Sequence, residues 1–239
     1  MIQEIIDEAL KSREQHEPSG LIRPSSLGQC YRRQYWSRKG EKPSNPIDER
    51  TMRVFKCGNI FEEFVVKNIL SKHPDWQTQI EVNKDDIHGY ADLVTPDEVD
   101  DVKSQHSRKF WHNDREMKAG GDIRAMFYNN WLQVLTYAWI LVKPKARLIY
   151  ISKDDLCIQE YVQELDNYWL NEIDMELAKD RYYWDFKTLP PAEPRLYGGI
   201  ETKKECEYCQ FFASCDAVEH SKKGSVILKG EEKYEKENA

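Results

Sequence analysis

Two short strand-like segments, with a turn between them, constrain the fold of this chain more than any other feature. Residues 87–94 and 99–104 have the length and composition of short β-strands. The four residues between them, Thr-Pro-Asp-Glu at 95–98, are typical of a turn. We therefore expect an antiparallel hairpin here, with Val94 opposite Val99.

This register brings acidic side chains together. It places Asp92 opposite Asp101, with Cβ atoms about 5 Å apart, and like charges in that arrangement destabilise a sheet. Lys103 projects from the same face as Asp101 because strand side chains alternate. The triplet Asp-x-Lys is common by itself, so the interpretation depends on this register. Two carboxylates and an ammonium on one patch are typical of a divalent-cation site that hydrolyses phosphodiester bonds.

The rest of the chain alternates between helical and strand patterns. Helix-period apolar residues predict helices over residues 2–10, 48–71, 123–142 and 166–186, and a further helix that carries Cys30 is expected to be capped by Ser25 or Ser26. Strand patterns cover residues 77–82, 87–94, 99–104, 147–152 and 157–163. This mixture predicts the α/β class.

The composition fits one folded domain, with or without an appendage. At 239 residues, of which 40% are apolar, the chain can bury a substantial core. No apolar run approaches the ~20 residues that span a bilayer, and the first residues lack a secretion signal, so we expect a cytoplasmic protein without membrane contact. The net charge of −7 disfavours a passive nucleic-acid coat, yet it is compatible with a nuclease that binds through a metal.

The helix over residues 48–71 carries a further acidic candidate. Glu62 borders an apolar stripe that includes Phe55 and Val65, whereas Glu63 lies on a charged face. A carboxylate that points inward needs an ion pair or a metal. Glu62 is therefore either a third acidic metal ligand or a salt-bridged helix residue.

Two polar residues of the later apolar helix share one face. Gln133 and Tyr137 are four residues apart, together with Asn130. They can bind a phosphate or hold Lys103, although such residues more often line a core with their polar tips satisfied.

Four cysteines have a spacing that suggests a metal group. Cys206, Cys209 and Cys215 form a compact cluster, and Cys30 is a distant fourth. In a cytoplasmic chain this spacing favours metal over disulfides. One distant thiolate with three clustered ones is compatible with a [4Fe–4S] centre, and zinc remains an alternative. Cys57 and Cys157 are expected to be small core residues.

These motifs, taken in order, resemble the RecB-like nucleases of the PD-(D/E)XK superfamily. The ordered set spans residues 23–33, Gly58-x3-Glu62, residues 89–92, Asp101-Val-Lys103, Gln133-x3-Tyr137 and the three clustered cysteines. The size and the cysteine arrangement are most similar to the CRISPR-associated Cas-four exonuclease family and its phage relatives. Many relatives have His where this chain has Glu62, which leaves the choice of metal open.

The resemblance implies a fold and a domain organisation. It implies a nuclease core with a central mixed sheet flanked by helices, and N- and C-terminal segments joined at a cysteine metal cluster. We expect an N-terminal helical region over residues 1–46, the core over 47–189, a cysteine-rich segment over 190–220 and a charged tail over 221–239.

The resemblance also implies an activity. It implies a Mg²⁺- or Mn²⁺-dependent exonuclease on single-stranded or end-frayed DNA, with a [4Fe–4S] cluster on Cys30, Cys206, Cys209 and Cys215. The expected metal ligands are Asp92, Asp101, Glu62 and the Val102 carbonyl, and the expected catalytic residues also include Lys103, Gln133 and Tyr137. Tyr31, Tyr35, Trp36, Phe110, Trp111 and Tyr128 are candidates for base stacking.

Two other interpretations remain open at this stage. The chain can be a non-catalytic DNA-binding module that uses the cysteine cluster as a structural platform. It can also be a subunit whose cutting is gated by a partner, such as a CRISPR integrase complex or phage recombination proteins. The sequence does not predict an oligomeric state.

Overall fold

The computed structural model describes residues 2–11, 20–195, 204–215, 218–220 and 226–228. Apart from residues 226–228, the predicted charged tail over 221–239 lies outside them. The described residues fall into two compact units. The first unit holds residues 2–11, 21–27 and 48–178, and the second holds residue 20, residues 28–47 and the described residues from 179 onward.

A five-stranded sheet forms the centre of the first unit. Its strands are β1 (Gln77–Lys84), β2 (Ile87–Val94), β3 (Glu98–Gln105), β4 (Lys145–Ser152) and β5 (Ile158–Glu164), in the spatial order β1-β2-β3-β4-β5. Neighbours pair antiparallel except β3 and β4, which are parallel. The predicted mixed α/β class, with a central mixed sheet flanked by helices, is confirmed.

The described helices follow the predicted pattern in most places. They are α1 (Ile2–Lys11), α2 (Tyr31–Lys39), α3 (Glu49–Leu70), α4 (Ser107–Lys118), α5 (Ile123–Met126), α6 (Tyr128–Ile140), α7 (Asn167–Asp185) and α8 (Lys204–Glu207). Asp48 caps α3, and its carboxylate accepts a hydrogen bond from the Thr51 amide. Among these helices, none combines the length and hydropathy needed to cross a membrane.

The two faces of the sheet pack against different helices. On one face, Val65 and Val66 of α3 pack with Val102 and Ile149. On the other face, the apolar residues of α6 pack with Leu148 and its neighbours. Because successive strand residues point to opposite faces, Leu148 and Ile149 serve the two different cores.

Helix α4 was not predicted, and the apolar helix over residues 123–142 was predicted without its break. Helix α4 has a mostly polar sequence, and of its residues only Phe110 is buried, so its apolar periodicity is weak. The break falls at Phe127, whose φ of −123° and ψ of 24° are not helical. The packing of Phe127 against Tyr150 and Tyr161 decides this conformation, and no local sequence signal marks it.

The predicted cap of the cysteine-bearing helix was wrong. Ser26 lies in a 3₁₀ turn over Pro24–Ser26, and its hydroxyl donates to the Arg23 carbonyl. Gly28 follows with a φ of 75°, which is the left-handed region that glycine adopts most easily. Helix α2 begins at Tyr31, and Cys30 occupies its N-cap position.

The second unit joins segments that are distant in sequence. The Cys30 amide donates to the Glu205 carboxylate at 2.9 Å. The rings of Trp36 and Phe211 pack edge to face at 5.4 Å. The short strands β6 (Val218–His220) and β7 (Val226–Leu228) pair antiparallel.

Candidate active site

The hairpin of β2 and β3 is paired only near its turn. Val94 lies opposite Val99, as predicted, and Leu93 lies opposite Asp100. The ladder ends there, one pair before the predicted opposition of Asp92 and Asp101. The Asp92 carboxylate instead accepts a hydrogen bond from the Val102 amide at 3.0 Å. A side chain thus takes the place of a backbone partner where the two strands separate.

Asp101 and Lys103 lie on the same face of β3, as the alternation predicted. The Lys103 Nζ is 2.8 Å from both carboxylate oxygens of Asp101. The Asp101 side chain is 2% exposed and that of Lys103 is 29% exposed. The Asp101 carboxylate is therefore fixed inside the protein, whereas the partly exposed Lys103 side chain can contact a substrate.

Burial and crowding change the ionisation of this group. Burial, followed by the charge of Asp101, raises the pKa of Asp92 to about 8. Burial also raises the pKa of Asp101. Burial alone would lower the pKa of Lys103, but the charges of Asp101 and Asp92 outweigh it, so this pKa is raised. Because Lys103 bonds Asp101 directly, Asp92 is the carboxylate that takes up a proton in the metal-free protein.

Glu62 faces this group from α3. Its pKa is raised, mainly by burial and then by the charge of Asp101. Its Oε1 accepts a hydrogen bond from Gln79 Nε2 at 2.6 Å. Sequence reasoning missed Gln79, which has a φ of 50° and which no motif signals.

The predicted faces of α3 are correct only in part. Glu62 is half-buried and Glu63 is exposed, as expected. Phe55 was predicted to share the inward stripe, but it is 52% exposed. The buried stripe consists of Val65 and Val66, because these residues lie over β3 and β4.

Gln133 and Tyr137 of α6 lie behind Lys103. Gln133 Oε1 accepts a hydrogen bond from Lys103 Nζ at 3.2 Å. Tyr137 is 4% exposed, and its hydroxyl interacts with Gln133 and with the Tyr90 backbone. Burial raises the pKa of Tyr137, and the charges of the two aspartates raise it further. Tyr137 therefore stays a neutral phenol.

An open groove of about 720 Å³ gives access to the acidic group. Glu62, Asp92 and Gln79 line it, together with Asn59 and Lys67 of α3. The volume lies within the range of known ligand sites. A nucleic-acid strand in this groove would contact the carboxylates of Glu62 and Asp92, whereas Asp101 and Lys103 do not line it.

The oxygen atoms present suit a hard divalent cation. Asp101 Oδ2 is buried, and the Lys103 ammonium contacts it at 2.8 Å. Carboxylate oxygens are the ligands that Mg²⁺ prefers. Across the described part of the chain, no three His, Cys, Asp or Glu side chains converge on a single ion position. The Val102 amide contacts Asp92, and the role of the Val102 carbonyl stays a prediction.

The four predicted cluster cysteines line one pocket of the second unit. Cys30, Cys206, Cys209 and Cys215 all contribute to it, with Arg32 Nη1 lying 3.8 Å from the Cys215 sulfur. Burial raises the pKa of Cys206 to about 12, and the charge of Cys30 contributes next. The soft sulfur donors suit an iron–sulfur or zinc group.

The solvent exposure of several residues differs from what the sequence predicted. Cys57 and Cys157 are half-buried rather than core residues. Tyr31 is 3% exposed and Phe110 is 1% exposed, so neither ring can stack on a base. Trp111 is 39% exposed and donates through its indole N–H to Asp155.

Similar proteins were sought by sequence and by structure. No protein-family model matches the chain, and no curated protein matches it. The solved structure of SSO0001 matches with a TM-score of 0.57 and 20% identity, over 91% of this chain and 97% of that one.

Two exonucleases are also similar in structure. The alkaline exonuclease LHK-Exo from Laribacter hongkongensis matches with a TM-score of 0.49 and 12% identity, over 77% of this chain and 94% of that one. A phage-related exonuclease from Haemophilus somnus 129PT matches with a TM-score of 0.46 and 15% identity, over 70% and 94%. The match to SSO0001 supports the fold alone, because its identity is low. The two exonuclease matches have TM-scores below 0.5, and nothing is concluded from them.

We expect Asp92→Asn to stabilise the metal-free protein. The folded state holds a proton on Asp92 up to about pH 8, whereas the unfolded chain releases it near pH 4, so stability falls as pH rises between these values. The amide removes this penalty and can still accept from Val102. In EDTA at pH 8, calorimetry should show a Tm about 3–8 °C higher, with a smaller gain at pH 5. An equal or lower Tm at pH 8 would contradict the burial of this charge.

A second prediction concerns Gly89, which lies beneath Tyr137. A Cβ at Gly89 would be 2.5 Å from the Tyr137 hydroxyl oxygen and 3.0 Å from its ring. Gly89→Ala should therefore destabilise the protein by about 1–3 kcal/mol in urea unfolding. The double variant Gly89→Ala/Tyr137→Phe should recover part of that loss. Additive effects of the two substitutions would show that the two sites are independent.

Proposed function

We propose that this chain is a metal-dependent deoxyribonuclease that hydrolyses phosphodiester bonds in single-stranded or end-frayed DNA, as an exonuclease. The observation that carries the proposal is the group of Asp92, Asp101 and Lys103 where β2 and β3 separate. Two carboxylates that share a proton in a buried site are unfavourable without a cation. The positive charge of an ammonium held beside them complements the negative charge of a phosphate.

Lys103 supplies positive charge at a fixed place. Its ammonium bonds Asp101 and Gln133, which together orient it. Its raised pKa keeps it charged at neutral pH. A phosphate next to this group would gain electrostatic stabilisation as negative charge develops in the transition state.

The acidic residues would hold Mg²⁺ or Mn²⁺. Asp92 and Asp101 would be the main ligands, with Glu62 and the Val102 carbonyl as further ones. Such an ion supplies a Lewis acid and lowers the pKa of a bound water. Binding of the ion would displace the proton that Asp92 holds in the metal-free protein.

Glu62, Gln133 and Tyr137 have supporting roles in this proposal. Gln79 fixes the Glu62 carboxylate at the edge of the groove. Gln133 holds Lys103, and the neutral Tyr137 hydroxyl holds Gln133. Tyr137 acts through Gln133, so we assign it a positioning role rather than contact with DNA.

We also propose that the cysteine pocket binds a [4Fe–4S] cluster. The four cysteines line one pocket, and the charges of Cys30, Cys209 and Cys215 all act on Cys206. One distant thiolate with three clustered ones is compatible with such a centre, and zinc, which accepts the same sulfur donors, is the alternative.

The cellular setting that we propose is DNA processing in CRISPR spacer acquisition or in phage recombination. The resemblance of the ordered motifs to the Cas-four family and its phage relatives suggests this setting, and it does not distinguish the two contexts. A partner from such a system would then act on the same DNA end. The activity itself does not depend on this assignment.

Substitution of the central residues tests the proposed hydrolysis. Asp101→Asn and Lys103→Met should each slow the digestion of labelled single-stranded DNA by about 100-fold or more, in Mg²⁺ or Mn²⁺. EDTA should stop the wild-type reaction. Asp97→Asn and Lys153→Met are matched controls outside the site and should keep the wild-type rate. Circular dichroism would establish that each variant is folded.

Two outcomes would contradict the proposal. The first is a wild-type rate in either folded variant at the site. The second is wild-type protein that binds DNA but does not cleave it with either metal, which would favour the non-catalytic DNA-binding module.

Metal content tests the cluster. Protein purified without oxygen should be brown and contain about four irons per chain. Cys206→Ser should lose most of this iron, whereas Cys157→Ser should keep it because Cys157 belongs to the other unit. Colourless protein with stoichiometric zinc would overturn the assignment.

A further inference from the structure

A second pocket lies on the face of the sheet opposite to Asp101 and Lys103. It has a volume of about 560 Å³ and opens between the C-terminal half of α3 and strands β3, β4 and β5. Its walls are apolar and include Phe64, Ile69, Trp76, Ile149 and Ile158. The volume suits a small organic ligand.

The floor of this pocket contains an ionic group. The Arg147 guanidinium donates to Glu98 at 2.6 Å and also bonds Glu160. Its Nε is 3.9 Å from Asp100 Oδ1, and Lys145 Nζ is 3.7 Å from Glu98 Oε2. Three carboxylates thus lie close to Arg147 and Lys145, and Lys72 of the pocket wall adds a third cation.

Two buried carboxylate oxygens of this group lack a donor. Glu98 Oε2 and Asp100 Oδ1 have no hydrogen-bond partner among the described residues. The Asp100 side chain is 3% exposed, and that of Glu98 is 8% exposed. Buried acceptors without donors are rare in folded proteins, and they call for a bound group.

The walls restrict the kind of group. A hydrated inorganic cation would gain nothing from Phe64 or Ile158, which are 49% and 50% exposed. An alkyl chain would cover these side chains, and an ammonium at its end would donate to the floor. Trp76, which stacks on His73 at 4.2 Å, adds an aromatic wall that favours cations.

We propose that this pocket binds an organic ammonium ion on an apolar stem, with Asp100 and Glu98 as acceptors. The ammonium supplies the donors that Glu98 Oε2 and Asp100 Oδ1 lack. The stem packs between α3 and β5. The same chemistry can come from a free alkylamine or from a lysine side chain, and this site is independent of the proposed nuclease activity.

Calorimetric titration with matched ligands tests the proposal on the full chain. Hexylammonium should bind, whereas 1-hexanol and hexanoate should bind at least about tenfold more weakly, because they lack the charge or reverse it. Equal binding of hexanol would overturn the cation assignment. A capped lysine amide in a parallel titration distinguishes a free amine from a lysine side chain as the source.

Two variants locate the binding. Asp100→Asn should weaken hexylammonium binding by at least about tenfold, whereas Asp97→Asn, on the exposed turn, should leave it unchanged. Ile158→Lys would place an ammonium in the pocket at a half-exposed position that tolerates substitution, and it should abolish binding. If hexylammonium does not bind the wild type, or still binds Ile158→Lys with wild-type affinity, the proposal is wrong.

Discussion

The approach of two buried carboxylates, Asp92 and Asp101, is the interaction on which the rest of the candidate site depends. Desolvation, followed by the charge of Asp101, raises the pKa of Asp92 to about 8, so the metal-free site holds a proton. Lys103 carries a single positive charge and bonds Asp101, so it cannot neutralise both carboxylates. A bound divalent cation can replace the proton, and a site with that property suits chemistry on a phosphate.

The fold makes this arrangement possible through an interrupted ladder. Where β2 leaves β3, the Val102 amide loses its strand partner, and the Asp92 carboxylate replaces it. A fully paired hairpin would have given the Val102 amide a backbone partner instead. The local loss of sheet pairing therefore lets this amide bind the Asp92 carboxylate, which also lines the groove beside α3.

Strand β3 serves two sites because its side chains alternate. Asp101 and Lys103 face α6, whereas Glu98 and Asp100 face the pocket beside α3. The two sites have different chemistry: one suits a phosphate and a divalent cation, and the other suits an ammonium with an apolar stem. The fold that this chain shares with SSO0001 does not decide such chemistry, because function depends on the site.

The sequence by itself determined the features that depend on local periodicity. Turn residues and alternation placed Val94 opposite Val99, and the helix period separated Glu62 from Glu63. Only the tertiary structure decided where the ladder ends, why the chain breaks at Phe127, and that Gln79 holds Glu62. Each of these depends on packing between residues distant in sequence, and no local pattern encodes such contacts. The sequence thus identified the charged residues, and the packing of α3 and α6 against the sheet determined which groups each of them contacts.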